Sequence, residues 1–211
     1  MYRIAYIDDE EDVVRQFQIN MMDDFEVIEL KLRDDVSEMI EDIIESRVAA
    51  VVIDYNLNSS QSQVHYNGVE LLKELLNTIK DYPCYILTSH ESEAEDTLID
   101  PDLIRDKLFV SNHKDFFINK LKTKIESYEK RINIYKDELI LLMSSFPDLN
   151  SKQEERLIEL DDILEKNSNG YKSIPSDMKK LSNDVRLDRL ISLSKELVKE
   201  LRNDTNEHTE E

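Results

Sequence analysis

The chain has 211 residues with only 2 Gly, 1 Cys and no Trp, and its 47 acidic against 27 basic side chains give a formal net charge of -20. Two glycines cannot build the glycine-rich loops of P-loop and dinucleotide-binding proteins, and one cysteine excludes an internal disulfide or a multi-cysteine zinc site, as suits a reducing compartment. The acidic balance repels phosphate backbones and anionic lipid, no apolar stretch nears the ~20 residues of a membrane span, and no signal-peptide pattern opens the chain, so a cytoplasmic protein with neither nucleic acid nor membrane as partner is expected.

Short apolar runs at Ile4–Ile7, Phe25–Leu30, Ala49–Ile53, Tyr85–Leu87 and Leu108–Val110 read as five strands, with helix-length segments between them. The runs at 49–53 and 85–87 lack polar interruptions, as in strands covered on both faces of a parallel sheet. An α/β fold follows, a five-stranded parallel doubly wound sheet of flavodoxin-like type, in which ligands collect beyond the carboxyl ends of the strands. Most of the excess acidity falls in this half of the chain.

From Ile118 onward apolar residues recur at Leu121, Ile125, Tyr128, Ile132, Tyr135, Leu139 and Leu142, a heptad seam. A long fifth helix is therefore expected to run to about Ser144, before Phe146-Pro147-Asp148 stops it. Two more helices are expected at about 151–166 and 176–203, separated by Asn167-Ser168-Asn169-Gly170. The seam suits either packing on these later helices or a homodimer through residues 118–142, and the spacing does not choose between them. The expected organisation is thus residues 1–118 as the α/β domain, 119–203 as an all-α extension serving output or dimerisation, and 204–211 as a disordered polar tail.

The expected strand ends carry Asp8 and Asp9, then Asp54, then Thr88 and Ser89, with Lys114 shortly after the fifth run. Three converging carboxylates repel one another unless a cation sits among them, and oxygen-only donors suit Mg²⁺. A hydroxyl and an ammonium opposite them suit phosphoryl transfer to a carboxylate nucleophile. Lys107 precedes the expected fifth strand and so belongs to the wrong edge of the sheet.

Residues 1 to about 118 resemble the receiver domain of two-component response regulators. The likeness rests on Tyr6-Ile7-Asp8-Asp9-Glu10-Glu11, Val51-Val52-Ile53-Asp54-Tyr55-Asn56-Leu57, Gly68-Val69-Glu70-Leu71-Leu72 and Tyr85-Ile86-Leu87-Thr88-Ser89. It implies that Asp54 is the phosphoacceptor, that Asp9 and Asp54 ligate Mg²⁺ directly with Asp8 acting through water, and that the Asn56 carbonyl completes the protein's share of the shell. It further implies that Thr88, Lys114 and the Ser89 amide contact the phosphoryl group, and that the side chains of Asn56 and His90 tune dephosphorylation. The implied partners are a sensor histidine kinase or phosphotransfer protein and a downstream protein target, with no turnover of an external substrate.

Three departures accompany the likeness. Ser59–Tyr66 reads as an inserted flexible loop beside the site. The position three before Lys114, aromatic in the family, is Ser111, with Phe109 as a substitute, and the lysine is followed by Asp115 instead of Pro. A haloacid-dehalogenase-type hydrolase needs a second Asp where Asn56 stands, and the absence of His between 119 and 207 removes a phosphohistidine relay from the tail. The alternatives are a constitutive protein-binding module and a DNA-binding regulator. His65, His90 and His113 lack ligand spacing and read as surface residues, His208 as idle, and Cys84 as an inert core thiol.

Overall fold

The computed structural model describes residues 1–59, 63–89, 100–145 and 148–167. The helix expected at 176–203, the turn ending at Gly170, the 204–211 tail, His90 and His208 lie outside these residues. The chain divides into two compact units, Met1–Tyr128 and a second beginning at Glu129, whereas the sequence suggested 118.

The first unit holds five strands, β1 (Tyr2–Ile7), β2 (Phe25–Glu29), β3 (Ala50–Asp54), β4 (Cys84–Thr88) and β5 (Ile104–Asp106). All neighbours pair in parallel in the order β2-β1-β3-β4-β5, which is the flavodoxin-like doubly wound arrangement. The helices are α1 (Glu11–Met21), α2 (Val36–Glu45), α3 (Gly68–Thr78), α4 (Lys107–Asn112) and α5 (Lys114–Ser144), and α6 (Ser151–Asn167) follows in the second unit. A 3-10 turn at Pro101–Leu103 precedes β5.

Strand alternation sorts the core. Ile4, Tyr6, Ala50, Val52, Tyr85 and Leu87 form one face and pack with Val14, Phe17 and Met21 of α1 and with Ile118, Leu121 and Ile125 of α5. The residues of opposite parity, Ala5, Ile7, Val51, Ile53 and Ile86, are fully buried too, and α3 packs on β3 and β4 with α2 beside it. β3 and β4 are buried at every position, which is why their sequences read as unbroken apolar runs.

Helix starts are fixed locally. The Asp35 carboxylate accepts the Ser37 and Glu38 amides at 2.7 and 3.3 Å to cap α2. Asn67 and Glu70 form a reciprocal capping box on α3, at 2.9 and 3.0 Å. That box sets Gly68 against the end of β3, where a Cβ would lie 2.1 Å from the Asp54 carbonyl oxygen; only a residue without a side chain allows this approach.

The fifth strand is not where the apolar run placed it. Leu108, Phe109 and Val110 belong to α4, whose first turn is capped by Asp106 accepting the Phe109 amide at 2.7 Å. Leu108 is 71% exposed. The true strand, Ile-Arg-Asp, is an edge strand with one buried apolar residue, Ile104, and Arg105 lying 5.4 Å over the Tyr85 ring. Charged residues on a short edge strand discourage pairing with another chain, and they also hide it from a hydrophobicity reading.

The helical expectations to Ser144 and from 151 hold. Seam residues Ile118, Leu121 and Ile125 are consumed by the sheet core, while Leu139 and Leu142 pack with Leu157, Leu160 and Leu164 of α6. Arg156 clamps Glu138 with two bonds of 2.9 and 2.8 Å. At these positions the seam is covered within the chain, by the sheet at its start and by the following helix near its end.

Two outcomes follow. Gly68→Ala forces the α3 start away from Asp54 and destabilises the protein by about 1–3 kcal/mol, read as a melting temperature several degrees lower; an unchanged melt would mean that the contact relaxes freely. Cys84 is fully buried and burial pushes its thiol up to about 12, so an aromatic disulfide reagent at pH 8 reacts only at the unfolding rate, and rapid labelling of native protein would contradict the packing of β4.

Candidate functional site

The parallel register brings four strand ends to one edge. Ile7 lies opposite Ile53, so Asp8 and Asp9 leave β1 beside Asp54; Asp54 lies opposite Leu87, one residue before Thr88; Thr88 lies opposite Asp106, one residue before Lys107. Asp8, Asp9, Asp54 and Thr88 are 9%, 8%, 6% and 2% exposed. One oxygen from each of the three carboxylates lies within 4.8 Å of the others.

Backbone turns aim two of these acids. Asp8 Oδ1 accepts the Glu10 amide at 3.0 Å, and Asp54 Oδ2 accepts the Asn56 amide at 3.0 Å, each carboxylate bonding the backbone two residues on. The Tyr6 hydroxyl donates to Asp8 Oδ2 at 2.8 Å, and its ring stacks on Phe17 with centroids 4.2 Å apart. Lys107 Nζ joins the cluster, 2.5 Å from Asp54 Oδ1 and 3.3 Å from Asp8 Oδ2.

The Lys107 ammonium thus faces two of three clustered carboxylates, in which like charges interact at about 4 kcal/mol per pair at 4 Å and an effective dielectric near 20. Burial holds the Asp54 carboxyl above its ordinary range, partly offset by Lys107. Burial works against the Lys107 ammonium as well, but its two carboxylates prevail and raise it. Burial likewise pushes the Tyr6 phenol far up, reinforced by Asp8, so it stays a hydrogen-bond donor. Hard oxygen donors carrying excess negative charge fit a divalent cation such as Mg²⁺.

The lysine at the carboxylates is Lys107, not Lys114. With β5 ending at Asp106, Lys107 sits at the carboxyl edge; Lys114 instead opens α5 and makes no hydrogen bond or ion pair among the described residues. The residue three before Lys107 is Ile104, so an aromatic is absent from that position on this reading too, and Leu108 follows it. Phe109 lies on α4, packed against His113 and Phe116. Asn56 and Ser89 stand exposed at the lip of the site, and His65 and His113 are exposed and outside the acidic cluster.

The loop expected to be flexible over Ser59–Tyr66 is anchored at its far end. Val64 and Tyr66 are buried, and the Tyr66 hydroxyl donates to the Arg33 carbonyl at 2.8 Å; residues 60–62 lie outside the described set. Sequence reasoning missed Tyr6 as a site residue, although its alternation with Asp8 on one strand face was a usable signal.

The raised pKa of Asp54 means that its contribution to stability is present below the ordinary carboxylate range and is lost as pH rises through the raised value. At pH 7 in EDTA, Asp54→Asn therefore melts higher than the parent protein, and Mg²⁺ raises the melting temperature of the parent but not of the variant. A parent melt indifferent to Mg²⁺ would count against a cation at this cluster.

No family model and no curated protein matches the chain. Among solved structures, a response regulator receiver domain protein from Clostridium thermocellum is similar at 17% identity and a TM-score of 0.48, over 61% of this chain and 99% of that one. The RcsB response regulator of Salmonella typhimurium, described for its conformational dynamism for DNA interaction, is similar at 14% identity and a TM-score of 0.45, over 91% and 98%. RcsB of Salmonella enterica serovar Typhimurium, bound to promoter rprA in the presence of the phosphomimetic BeF3-, is similar at 15% identity and a TM-score of 0.43, over 91% and 99%. The strand order itself gives the first unit the flavodoxin-like doubly wound fold, and helices follow it.

Proposed function

We propose that this chain is a phosphorylation-controlled signalling protein in which Asp54 accepts a phosphoryl group from a sensor histidine kinase or phosphotransfer protein and the helical region carries the output to a downstream protein. The observation that carries this reading is Asp54 itself: a strand-end carboxylate 6% exposed, 2.5 Å from an ammonium and clustered with two further acids. The ammonium alone would suit a structural carboxylate, but two further buried acids beside it are a cost that a structural role does not explain.

In the proposed step an Asp54 oxygen forms a bond to phosphorus while the phosphorus–nitrogen bond of a phosphohistidine breaks, the electron pair leaving with an imidazole nitrogen that takes up a proton. Asp54 then carries an acyl phosphate. Bound Mg²⁺ would supply neutralisation of charge on the transferring oxygens, with Asp9, Asp54 and the Asn56 carbonyl as ligands. Asp8, whose oxygens already accept Glu10, Tyr6 and Lys107, acts through water and holds the counter-charge. Lys107 passes its ammonium from the free carboxylate to a phosphoryl oxygen, and Thr88 with the Ser89 amide receives another. The added charge shifts a two-state surface, and no external substrate is turned over.

A protein target is favoured over DNA because the formal net charge of -20 opposes phosphate backbones. Among the described residues no helix is long and apolar enough to cross a membrane, and the cytoplasm suits a partner kinase domain and millimolar Mg²⁺.

With acetyl phosphate or phosphoramidate and Mg²⁺, intact-mass analysis finds one added phosphoryl group, absent in EDTA and in Asp54→Ala. Undiminished labelling of Asp54→Ala would exclude the assignment. Lys107→Ala slows labelling about a hundredfold, at least tenfold more than Lys114→Ala; equal effects would return the role to neither lysine.

A further inference from the structure

A cavity of about 390 Å³ lies beside the acidic cluster, on the sheet face covered by α1 and α5. Tyr6, Val13, Phe17, Met21, Leu87 and Val110 give it an apolar floor, and its volume is that of a small-molecule site. The pocket opens to solvent past the exposed Asp12, Gln16 and Asn20 of α1, so an occupant with an apolar body displaces water from that floor.

The charged groups on the lining decide what the occupant is. They are Asp12, Lys107 and Lys114. Lys107 is already bound by Asp54 and Asp8. Asp12, exposed on α1, and Lys114, half-buried at the start of α5, make no hydrogen bond or ion pair among the described residues, and they do not pair with each other. The lining therefore offers, among the described residues, one negative and one positive charge with no protein partner above an apolar floor. A fatty anion would satisfy Lys114 but leave Asp12 facing a like charge, and an alkylamine would do the reverse.

We propose that the cavity binds an apolar α-amino acid as its zwitterion, with the carboxylate on Lys114, the ammonium on Asp12 and the side chain on the floor formed by Tyr6, Phe17 and Leu87. The site adjoins the phosphoacceptor carboxylates and shares Tyr6 and Lys107 with them, but its occupant touches neither Asp8 nor Asp54, and binding needs neither metal nor phosphodonor.

Calorimetric titration of the full chain in EDTA tests this with L-phenylalanine, hydrocinnamate, which lacks the ammonium, and phenethylamine, which lacks the carboxylate. Phenylalanine is expected to bind saturably at one site, and each analogue about fivefold more weakly, as for loss of one partly exposed ion pair. Lys114→Gln weakens phenylalanine and hydrocinnamate but not phenethylamine; Asp12→Asn weakens phenylalanine and phenethylamine but not hydrocinnamate. No saturable binding at millimolar concentration, equal binding of all three compounds, or indifference to both substitutions would overturn the proposal. Failure here leaves Asp54 labelling untouched, and failure of that labelling leaves this titration unaffected.

Discussion

Everything at the carboxyl edge of the sheet depends on holding three carboxylates together in a place with little water. Asp8, Asp9 and Asp54 would separate if their positions were set by side-chain preference alone. They stay because each follows or ends a buried parallel strand whose pairing leaves no freedom in register. Lys107 relieves part of the repulsion, and it reaches the cluster because β5 ends one residue earlier, opposite Thr88. The residual negative charge on hard oxygen donors is of the kind that suits a divalent cation.

The same constraint reaches outward through Tyr6. On a strand the residue two before Asp8 shares its face, so the Tyr6 ring enters the α1 and α5 core while its hydroxyl turns to Asp8. A buried hydroxyl needs a partner, and a buried carboxylate needs a donor. Each supplies the other's requirement. On the opposite side of Asp54, Gly68 lets α3 start against the strand end, so the loop between them is held at both its Leu57 and Tyr66 ends by buried side chains.

The helical portion follows a different logic. A heptad seam states only that one face of a helix is apolar; it does not name what covers that face. Here Ile118, Leu121 and Ile125 are covered by strands and Leu139 and Leu142 by α6, so one continuous seam serves a sheet core in the first unit and a helix–helix core in the second. Of the seam tyrosines, Tyr128 meets Tyr82 edge-on in the first unit and Tyr135 packs against the leucine core of the second.

Composition, apolar runs and strand-end chemistry by themselves determined four of the five strands, the long fifth helix, and the residues Asp8, Asp9, Asp54 and Thr88, because buried parallel strands and amphipathic helices write their burial directly into periodicity. The identity of the lysine was not legible. Leu108, Phe109 and Val110 look like a strand, and Ile104, Arg105 and Asp106 do not, since an edge strand capped by charge carries little apolar signal. Only the tertiary structure decided between them: pairing with β4 selects the charged triplet, the Asp106 cap turns the apolar one into helix, and with the strand ending four residues earlier the ammonium at its end is Lys107, seven residues before Lys114. Tyr6 was likewise hidden, because a hydrogen bond across a strand face is a matter of distance in space, and a pocket lined by Asp12 and Lys114 exists only once α1, α4 and the sheet have been brought together.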